Sequence, residues 1–227
     1  MNKKTISVIM SIKDNEETLE DSIKSVLSQT YEDFEFLILD DNSIDNSYKI
    51  LKKNEIKDSR IKIFKNKHSL GLTKSLNYLI KEAKGSFIAR QDGDDQSHES
   101  RFESQIRYLL TGDYNFCVSR AINIQTGEMI PKLSYYVPQK LVVKIKNPFI
   151  HGTLMINKKV LENYGCYDEK FYYAQDYKLF TDLLKNKTSF KYIKKPLYYL
   201  NTLNNISNTY KVEQNYYANC VRKNLLP

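Results

Sequence analysis

Three acidic clusters in this sequence have residue types and spacings that could do chemistry. The first is Asp92-Gly93-Asp94-Asp95, three carboxylates within four residues. Charges of one sign held that close repel each other, so a fold that gathers them usually supplies a cation. Hard oxygen ligands suit Mg2+ or Mn2+, and such a cation neutralises a diphosphate and stabilises it as it leaves. Gly93 permits a tight turn that aims alternate side chains at one point. The second cluster is Leu39-Asp40-Asp41-Asn42-Ser43. A carboxylate here can accept the imide N–H of a base or the hydroxyls of a ribose, and the same residues also suit a helix N-terminus. The third is Tyr173-Ala174-Gln175-Asp176-Tyr177. Phe171, Tyr172, Tyr173 and Tyr177 surround Asp176 with aromatic bulk, and a partly desolvated carboxylate is a stronger base. Helix capping is the purely structural use of Asp176. Of the scattered histidines His68, His98 and His151, the last is the most interesting, because it precedes Gly152-Thr153 in an apolar stretch.

The elements that must position these groups follow from periodicity. Thr5–Met10, Phe34–Leu39, Ile61–Phe64 and Phe87–Ala89 read as buried strands. Between them lie helical patterns: Asn15, as N-cap, to about Gln29; Asp45–Lys53; and a helix marked by Leu72, Leu76, Leu79 and Ile80 that Gly85 stops as a left-handed cap. Phe102, Ile106, Leu109 and Leu110 mark a further helix. This alternation predicts an α/β fold with a mainly parallel Rossmann-like sheet flanked by helices, and ligands bind such sheets at the carboxyl ends of the strands. Asp40-Asp41 and Asp92–Asp95 both stand where a strand has just ended. After about Thr111 the pattern changes to shorter strands over Phe116–Arg120, Asn123–Met129 and Ile150–Asn157. A short helix is expected over Val137–Ile145 and a longer one over Asp176–Asn186. The stretch from Leu197 to Pro227 is rich in Tyr and Asn and poorly periodic. The expectation is one domain, 1–227, with a nucleotide-binding half over 1–110 and a smaller mixed half that shapes the acceptor side, with a C-terminal tail, over 111–227.

Taken together, these residues resemble glycosyltransferase family 2, whose nucleotide-binding domain has the A-type glycosyltransferase fold. Five segments carry the resemblance in order. They are Ile6–Ser11; Ser28–Tyr31 running to Phe36–Ser43; Gly71-Leu72 with the helix to Gly85; Phe87–Asp95; and Gly165–Glu169 through Gln175-Asp176-Tyr177. The resemblance implies a role for each site residue. Ser11 and Asp41 line the base and ribose pocket, with Asp41 on the base, and Lys74 approaches the donor. Asp92 lies near the ribose and sugar, and Asp94, helped by Asp95, binds Mn2+ or Mg2+. Asp176 is the catalytic base of an inverting displacement, with Asp14, Asp168 and Glu169 as competitors. The implied substrates are a nucleotide-diphosphate sugar, with UDP favoured, and a glycan or lipid-linked acceptor in surface polysaccharide or oligosaccharide synthesis. Two features depart from the family pattern. Gln175 stands where an acid usually precedes the catalytic aspartate, and Tyr199–Ser207 offers neither the late Arg nor the late His.

Composition sets the outer bounds. With 227 residues, 41% hydrophobic and 27% charged, the chain can bury a full core without staples. No apolar run approaches a membrane span, and the interrupted start at Met1–Thr5 does not read as a signal peptide, so a cytoplasmic location is expected. Cys117, Cys166 and Cys220 are far apart and read as free thiols. The net charge of +8 is uneven, with six lysines and no acid between Met129 and Leu161. The basic segments Lys132–Lys146 and Lys191–Lys223 therefore suit peripheral association with an anionic membrane or a phosphate-bearing acceptor. No specific nucleic-acid partner is implied. An aspartyl hydrolase would place its acidic pair after the first strand, which here ends in Ser11-Ile12-Lys13. The remaining rival is a non-catalytic nucleotide- or glycan-binding protein built on a transferase fold.

Overall fold

The structure, a computed structural model, describes residues 5–203 and 210–227. The start at Met1–Lys4 and the Asn204–Ser207 part of the late segment lie outside the described residues. Strand β1 (Ile6–Ile12) and strand β2 (Phe34–Asp40) are almost wholly buried and pair in parallel, Ile6 opposite Phe34 and Ile12 opposite Asp40. Strands covered on both faces read as continuous apolar runs. Strand β3 (Ile61–Lys65) adds in parallel to β2, and β4 (Phe87–Arg90) adds in parallel to the other side of β1.

Helix α1 (Leu19–Leu27) buries Leu19, Ile23 and Val26, the stripe its periodicity predicts. Its N-cap is Thr18 rather than Asn15. Asn15 forms the preceding turn instead: its carbonyl accepts from the Thr18 and Leu19 amides and its side chain from Lys13. Helix α2 (Ser47–Lys57) starts and ends later than expected, because the Asp45 carboxylate holds the Ser47 amide before the first turn. Helix α3 (Leu72–Glu82) ends in extended backbone at Ala83, and Gly85 does not adopt the left-handed conformation. Glycine is needed at 85 for proximity: a Cβ there would lie 2.5 Å from the Ser7 amide nitrogen.

The second half contains β5 (Gln96–Ser97), α4 (Arg101–Leu110), β6 (Phe116–Asn123), β7 (Met129–Ile130), α5 (Gln139–Val142), β8 (Met155–Asn157), α6 (Lys158–Asn163), α7 (Gln175–Lys185), β9 (Phe190–Leu200) and α8 (Lys211–Lys223). The sheet order is β3-β2-β1-β4-β8-β6-β9-β5, with β7 beside β6. Beyond β4 the sheet becomes mixed: β8 is antiparallel to both β4 and β6, while β9 runs parallel to β6.

Asn123–Met129 is not one strand: Asn123 ends β6, Met129 begins β7, and residues 124–128 between them form a hairpin turn. The Asn123 side chain accepts from the Gln125 and Thr126 amides, which closes the polar stretch on itself. Within Ile150–Asn157 only the last three residues join the sheet. The Thr153 hydroxyl donates to the Ile150 carbonyl at 2.8 Å and curls His151–Thr153 into a helical turn. Helix α8 had no stripe to reveal it, because it buries only Cys220 and Val221.

Alternation along β1 sends Val8 to one face of the sheet and Ile9 to the other. Val8 packs with Ile23, Ile38 and Phe102. Ile9 belongs to a core cluster that also holds Leu76, Phe116, Phe180 and Val221, so this second core draws on both halves of the chain.

Candidate active site

Ser11 and Asp41 sit at the carboxyl ends of neighbouring strands: Ser11 pairs with Leu39, and the Asp41 amide donates to the Ile12 carbonyl at 2.8 Å. The buried Asp41 carboxylate accepts from Asn66 Nδ2 at 2.7 Å, Ser69 Oγ at 2.8 Å and the amides of Leu70 at 2.8 Å and Gly71 at 2.9 Å. Burial opposes its charge, but these donors hold its pKa below the usual carboxylate range. Four donors fill the lone-pair sites of a carboxylate. Asp41 therefore organises the loop that starts α3. Gly71, at φ 86°, lies under the Tyr172 ring, which a Cβ would approach to 2.6 Å. Lys74 is exposed on the first turn of α3.

The acidic loop after β4 is held from beneath. The Gln91 amide donates to the Ile9 carbonyl at 3.1 Å, which sets Asp92 beside the end of β1. From α1 and the turn before it, Ser22 Oγ donates to the Asp92 carbonyl at 2.7 Å and Thr18 Oγ1 to the Gly93 carbonyl at 3.1 Å. Gly93 sits against Ile12, whose methyl a Cβ would approach to 2.6 Å. The buried Arg90 guanidinium pairs with the Asp92 carboxylate. Burial and the charge of Asp92 push Asp94 up to about 6. Asp95 is more deeply buried. It accepts from the Asn201 amide at 2.7 Å and from Tyr198, and burial with the charges of Asp92 and Asp94 pushes its pKa well up. Its carboxylate thus ties the loop to β9.

Beneath this loop lies a polar layer that the sequence reading missed. Arg101, fully buried, donates to Gln91 Oε1 at 3.1 Å, Ser97 Oγ at 2.7 Å, the Arg90 carbonyl at 2.6 Å and Gln105 Oε1 at 3.1 Å. Gln91 in turn donates to the Asp95 carbonyl at 3.0 Å. Tyr198 accepts from the Asp92 amide at 3.1 Å and lies against Gly152. A signal existed: Arg101 and Gln105 stand four apart among the buried positions of α4, where the apolar stripe would have Leu or Ile.

Asp176 is the second residue of α7 and not its cap. The cap is Ala174, at φ 53°, with no side-chain bond. The Asp176 carboxylate accepts from Asn147 Nδ2 at 2.7 Å and from the Tyr177 amide at 2.7 Å. Burial pushes its pKa up to about 6, with the charge of Asp92 adding to the rise. Nearby, His151 Nε2 is 2.7 Å from the Tyr167 hydroxyl, and burial with the Arg90 charge pushes His151 well below its ordinary pKa, so it is neutral. Gln175 is buried beside Asp176. Asp168 and Glu169 instead line a groove of about 350 Å3 with Asn77, Cys166, Lys178 and Asp182, which excludes Asp92, Asp94 and Asp176. Asp14 is exposed and accepts from the Ile44 amide at 2.8 Å.

The fold therefore brings Arg90, Asp92, Asp94, Asp95 and Asp176 into one electrostatic field, with Ser11 and Asp41 on adjoining strand ends. Among the described residues no three His, Cys, Asp or Glu side chains are arranged as a preformed metal cage. Asp94 nevertheless fits a divalent cation. Among the described residues its carboxylate meets no donor but its own amide, and the crowding that raises its pKa is relieved by a positive charge. The three cysteines are free, and no described helix is long and apolar enough to cross a membrane.

A sheet with four parallel strands along one side, β3-β2-β1-β4, acidic strand ends and an aspartate on a facing helix has the arrangement of the A-type glycosyltransferase fold. The profile of glycosyl transferase family 2 matches residues 7–165, and the chain belongs to that family. It is 33% identical over 184 residues to the Escherichia coli UDP-Glc:alpha-D-GlcNAc-diphosphoundecaprenol beta-1,3-glucosyltransferase WfgD, covering 80% of this chain and 70% of that one. The chain spans 55% of the length of another relative, from Bacillus subtilis, to which it is 37% identical over 154 residues. In structure it is similar to Staphylococcus aureus TarS 1–349 in complex with UDP, with TM-score 0.74, 17% identity and coverage of 96% and 69%. It is also similar to the mannosyltransferase PcManGT from Pyrobaculum calidifontis in complex with GDP-Man and Mn2+, with TM-score 0.75, 14% identity and coverage of 100% and 67%.

Proposed function

We propose that this glycosyltransferase inverts the anomeric centre of a UDP-sugar in one displacement, with Asp176 as the base. The observation that carries this reading is the Asp176 carboxylate, raised to about 6 and sharing the field of Asp92. The acceptor hydroxyl gives its proton to Asp176 as its oxygen bonds to the anomeric carbon. The bond from that carbon to the diphosphate breaks on the opposite face, and UDP leaves. Two residues position the base: Asn147 holds one carboxylate oxygen, and the Tyr177 amide holds the other. Ser11 and Asp41 frame the base and ribose. Asp41 reads the uracil N3–H by releasing a side-chain donor, Asn66 or Ser69. Asp92 faces the ribose and sugar, with Arg90 neutralising part of its charge, and Lys74 approaches the phosphates. Asp94 would hold Mn2+ or Mg2+, with Asp95 fixing the loop, and when bound the metal neutralises the diphosphate. The relative that transfers to a diphosphoundecaprenol-linked sugar supports a lipid-linked glycan as acceptor, and with it work near an anionic membrane.

The reading is tested with a panel of nucleotide sugars with and without Mn2+, scoring released nucleoside diphosphate. Transfer from a UDP-sugar is expected. If GDP or dTDP raises the melting temperature and UDP does not, uracil is the wrong base. Asp94→Asn is expected to weaken UDP binding and abolish its metal dependence in calorimetry. Binding that keeps its metal response in the variant removes Asp94 from this role.

The pH dependence has a defined sign. Asp176 is a base only when ionised, so kcat/KM is expected to fall about tenfold per pH unit below about 6. A carboxyl whose folded pKa is raised binds its proton more readily folded than unfolded. It therefore contributes stability that is present below pH 3.8 and lost as pH rises through about 6. Activity and this part of stability thus move oppositely between those values. An acid limb centred near pH 4 would contradict the assignment.

A further inference from the structure

The segment between β7 and the Asp176-binding Asn147 has two faces. Val142, Val143 and Phe149 are buried and pin one side to the core. On the other side Leu133, Tyr136, Val137, Leu141 and Ile145 are between 42% and 82% exposed. Five large apolar side chains exposed within 13 residues are more than the scattered singles of an ordinary surface. Leu141 lies on α5 and Ile145 in the turns directly after it, while Leu133, Tyr136 and Val137 belong to the helical turn and extended residue that precede α5. Lys140, Lys144 and Lys146 are exposed along the same stretch, and no acid lies within it.

We propose that the exposed face of residues 133–146 is a docking surface for an anionic lipid bilayer. The apolar side chains enter the headgroup boundary and the three lysines meet lipid phosphates. Charge chooses this occupant. Protein–protein interfaces are depleted in lysine at their cores, whereas an interfacial element combines large apolar side chains with flanking lysines whose stems lie along the apolar region. The surface also has a functional position. Asn147, directly after Lys146, donates to the Asp176 carboxylate, and the Tyr177 hydroxyl donates to the Val143 carbonyl at 2.6 Å. Arg222 of α8 donates to the Ile145 carbonyl at 3.1 Å. The docking face and the base are thus parts of one packed unit, so a bilayer seated on 133–146 presents its surface beside Asp176. That consequence rests on the lipid-linked acceptor proposed above. The docking itself does not.

The test is co-sedimentation of the full chain with vesicles of mixed phosphatidylglycerol and phosphatidylcholine, against pure phosphatidylcholine, at low and high salt. Binding to the anionic vesicles is expected, with weakening by salt. Each lysine near such a surface contributes up to about fivefold. Lys140→Glu/Lys144→Glu/Lys146→Glu is therefore expected to lower partitioning by at least about tenfold, and Leu141→Asp/Ile145→Asp to lower it comparably. All these side chains are exposed, so both variants are expected to fold, and each is expected to keep the UDP-induced rise in melting temperature. That rise reports the donor site separately from the docking face. No binding to anionic vesicles, or equal binding by wild type and both variants, overturns the proposal. A concentration-dependent dimer that Leu141→Asp/Ile145→Asp abolishes would assign the face to a second copy and overturn it as well.

Discussion

Asp176→Asn is expected to reduce sugar transfer by at least about a hundredfold while leaving UDP binding in place. A sugar hydroxyl is a poor nucleophile while it keeps its proton, and a carboxamide cannot take it. General-base assistance is typically worth ~10²–10⁴-fold, which sets the size of the loss. The structural alternative predicts something else. Were Asp176 a helix cap, its loss would cost about 0.5–2 kcal/mol of stability and little activity. In the structure Ala174 occupies the N-cap position without a side-chain bond, and Asp176, in the first turn, accepts from the Tyr177 amide, an acceptor that Asn also supplies. The stability forecast is in fact inverted. Burial holds Asp176 at about 6 against an ordinary 3.8, so at pH 7.5 its ionised form is a cost to the fold of up to roughly 3 kcal/mol. An uncharged Asn removes that cost. Against this, its amide must share the site with the Asn147 amide, which now donates to Asp176, a conflict of about 1 kcal/mol. The variant is therefore expected to be inactive and at least as stable as wild type at pH 7.5. Loss of activity together with a lowered melting temperature would point to misfolding, and near-normal turnover would reduce Asp176 to a structural residue. Asp168 and Glu169 would then be next, although they face a different groove.

Much of the first half of the chain was legible because burial there follows simple periods. Parallel strands covered on both faces must be apolar throughout, and β2 is buried at every position. Helix α1 shows its stripe because it covers a sheet on one side only. The acidic loops were legible for the same reason: a strand that ends in carboxylates breaks an otherwise apolar run. The second half hid its structure where hydrogen bonds, not apolar burial, set the conformation. The turns at Asn123–Glu128 and His151–Thr153 are fixed by an Asn side chain and a Thr hydroxyl. Helix α8 is polar along most of its length. The candidate site was legible in its carboxylates and illegible in what holds them. Nothing local in sequence says that Asp95 is engaged by β9, about a hundred residues on, or that four donors converge on Asp41 from residues 66–71. Such contacts are long-range in the chain and use residue types that are mostly solvated elsewhere.

Arg101→Met is expected to destabilise the protein by about 3–5 kcal/mol, the cost of removing one partner from a buried charged network. Met nearly matches the volume and keeps the helix, so the loss isolates the guanidinium. Arg101 reaches four acceptors at once: Gln91, Ser97, Gln105 and the Arg90 carbonyl. Burial, with the charge of Arg90, works against the cation and lowers its pKa to about 10, yet it remains charged at neutral pH. Its positive charge also faces Asp92 and Asp95, adding to that of Arg90, which pairs with Asp92. Without it, acceptors are left dry and the carboxylates lose a counter-charge. Lys keeps the charge but not the planar fork, so Arg101→Lys is expected to lose less stability than Met and still fall short of wild type. For a chain of this length, 3–5 kcal/mol corresponds to a melting-temperature drop of roughly 10 °C. On the cation site proposed at Asp94, UDP with Mn2+ is expected to reverse part of the drop by binding the folded state. A Met variant that melts within a degree or two of wild type would mean that the layer beneath the acidic loop is replaceable packing, and that the position of Asp92 and Asp94 is set by β1 and α1 alone.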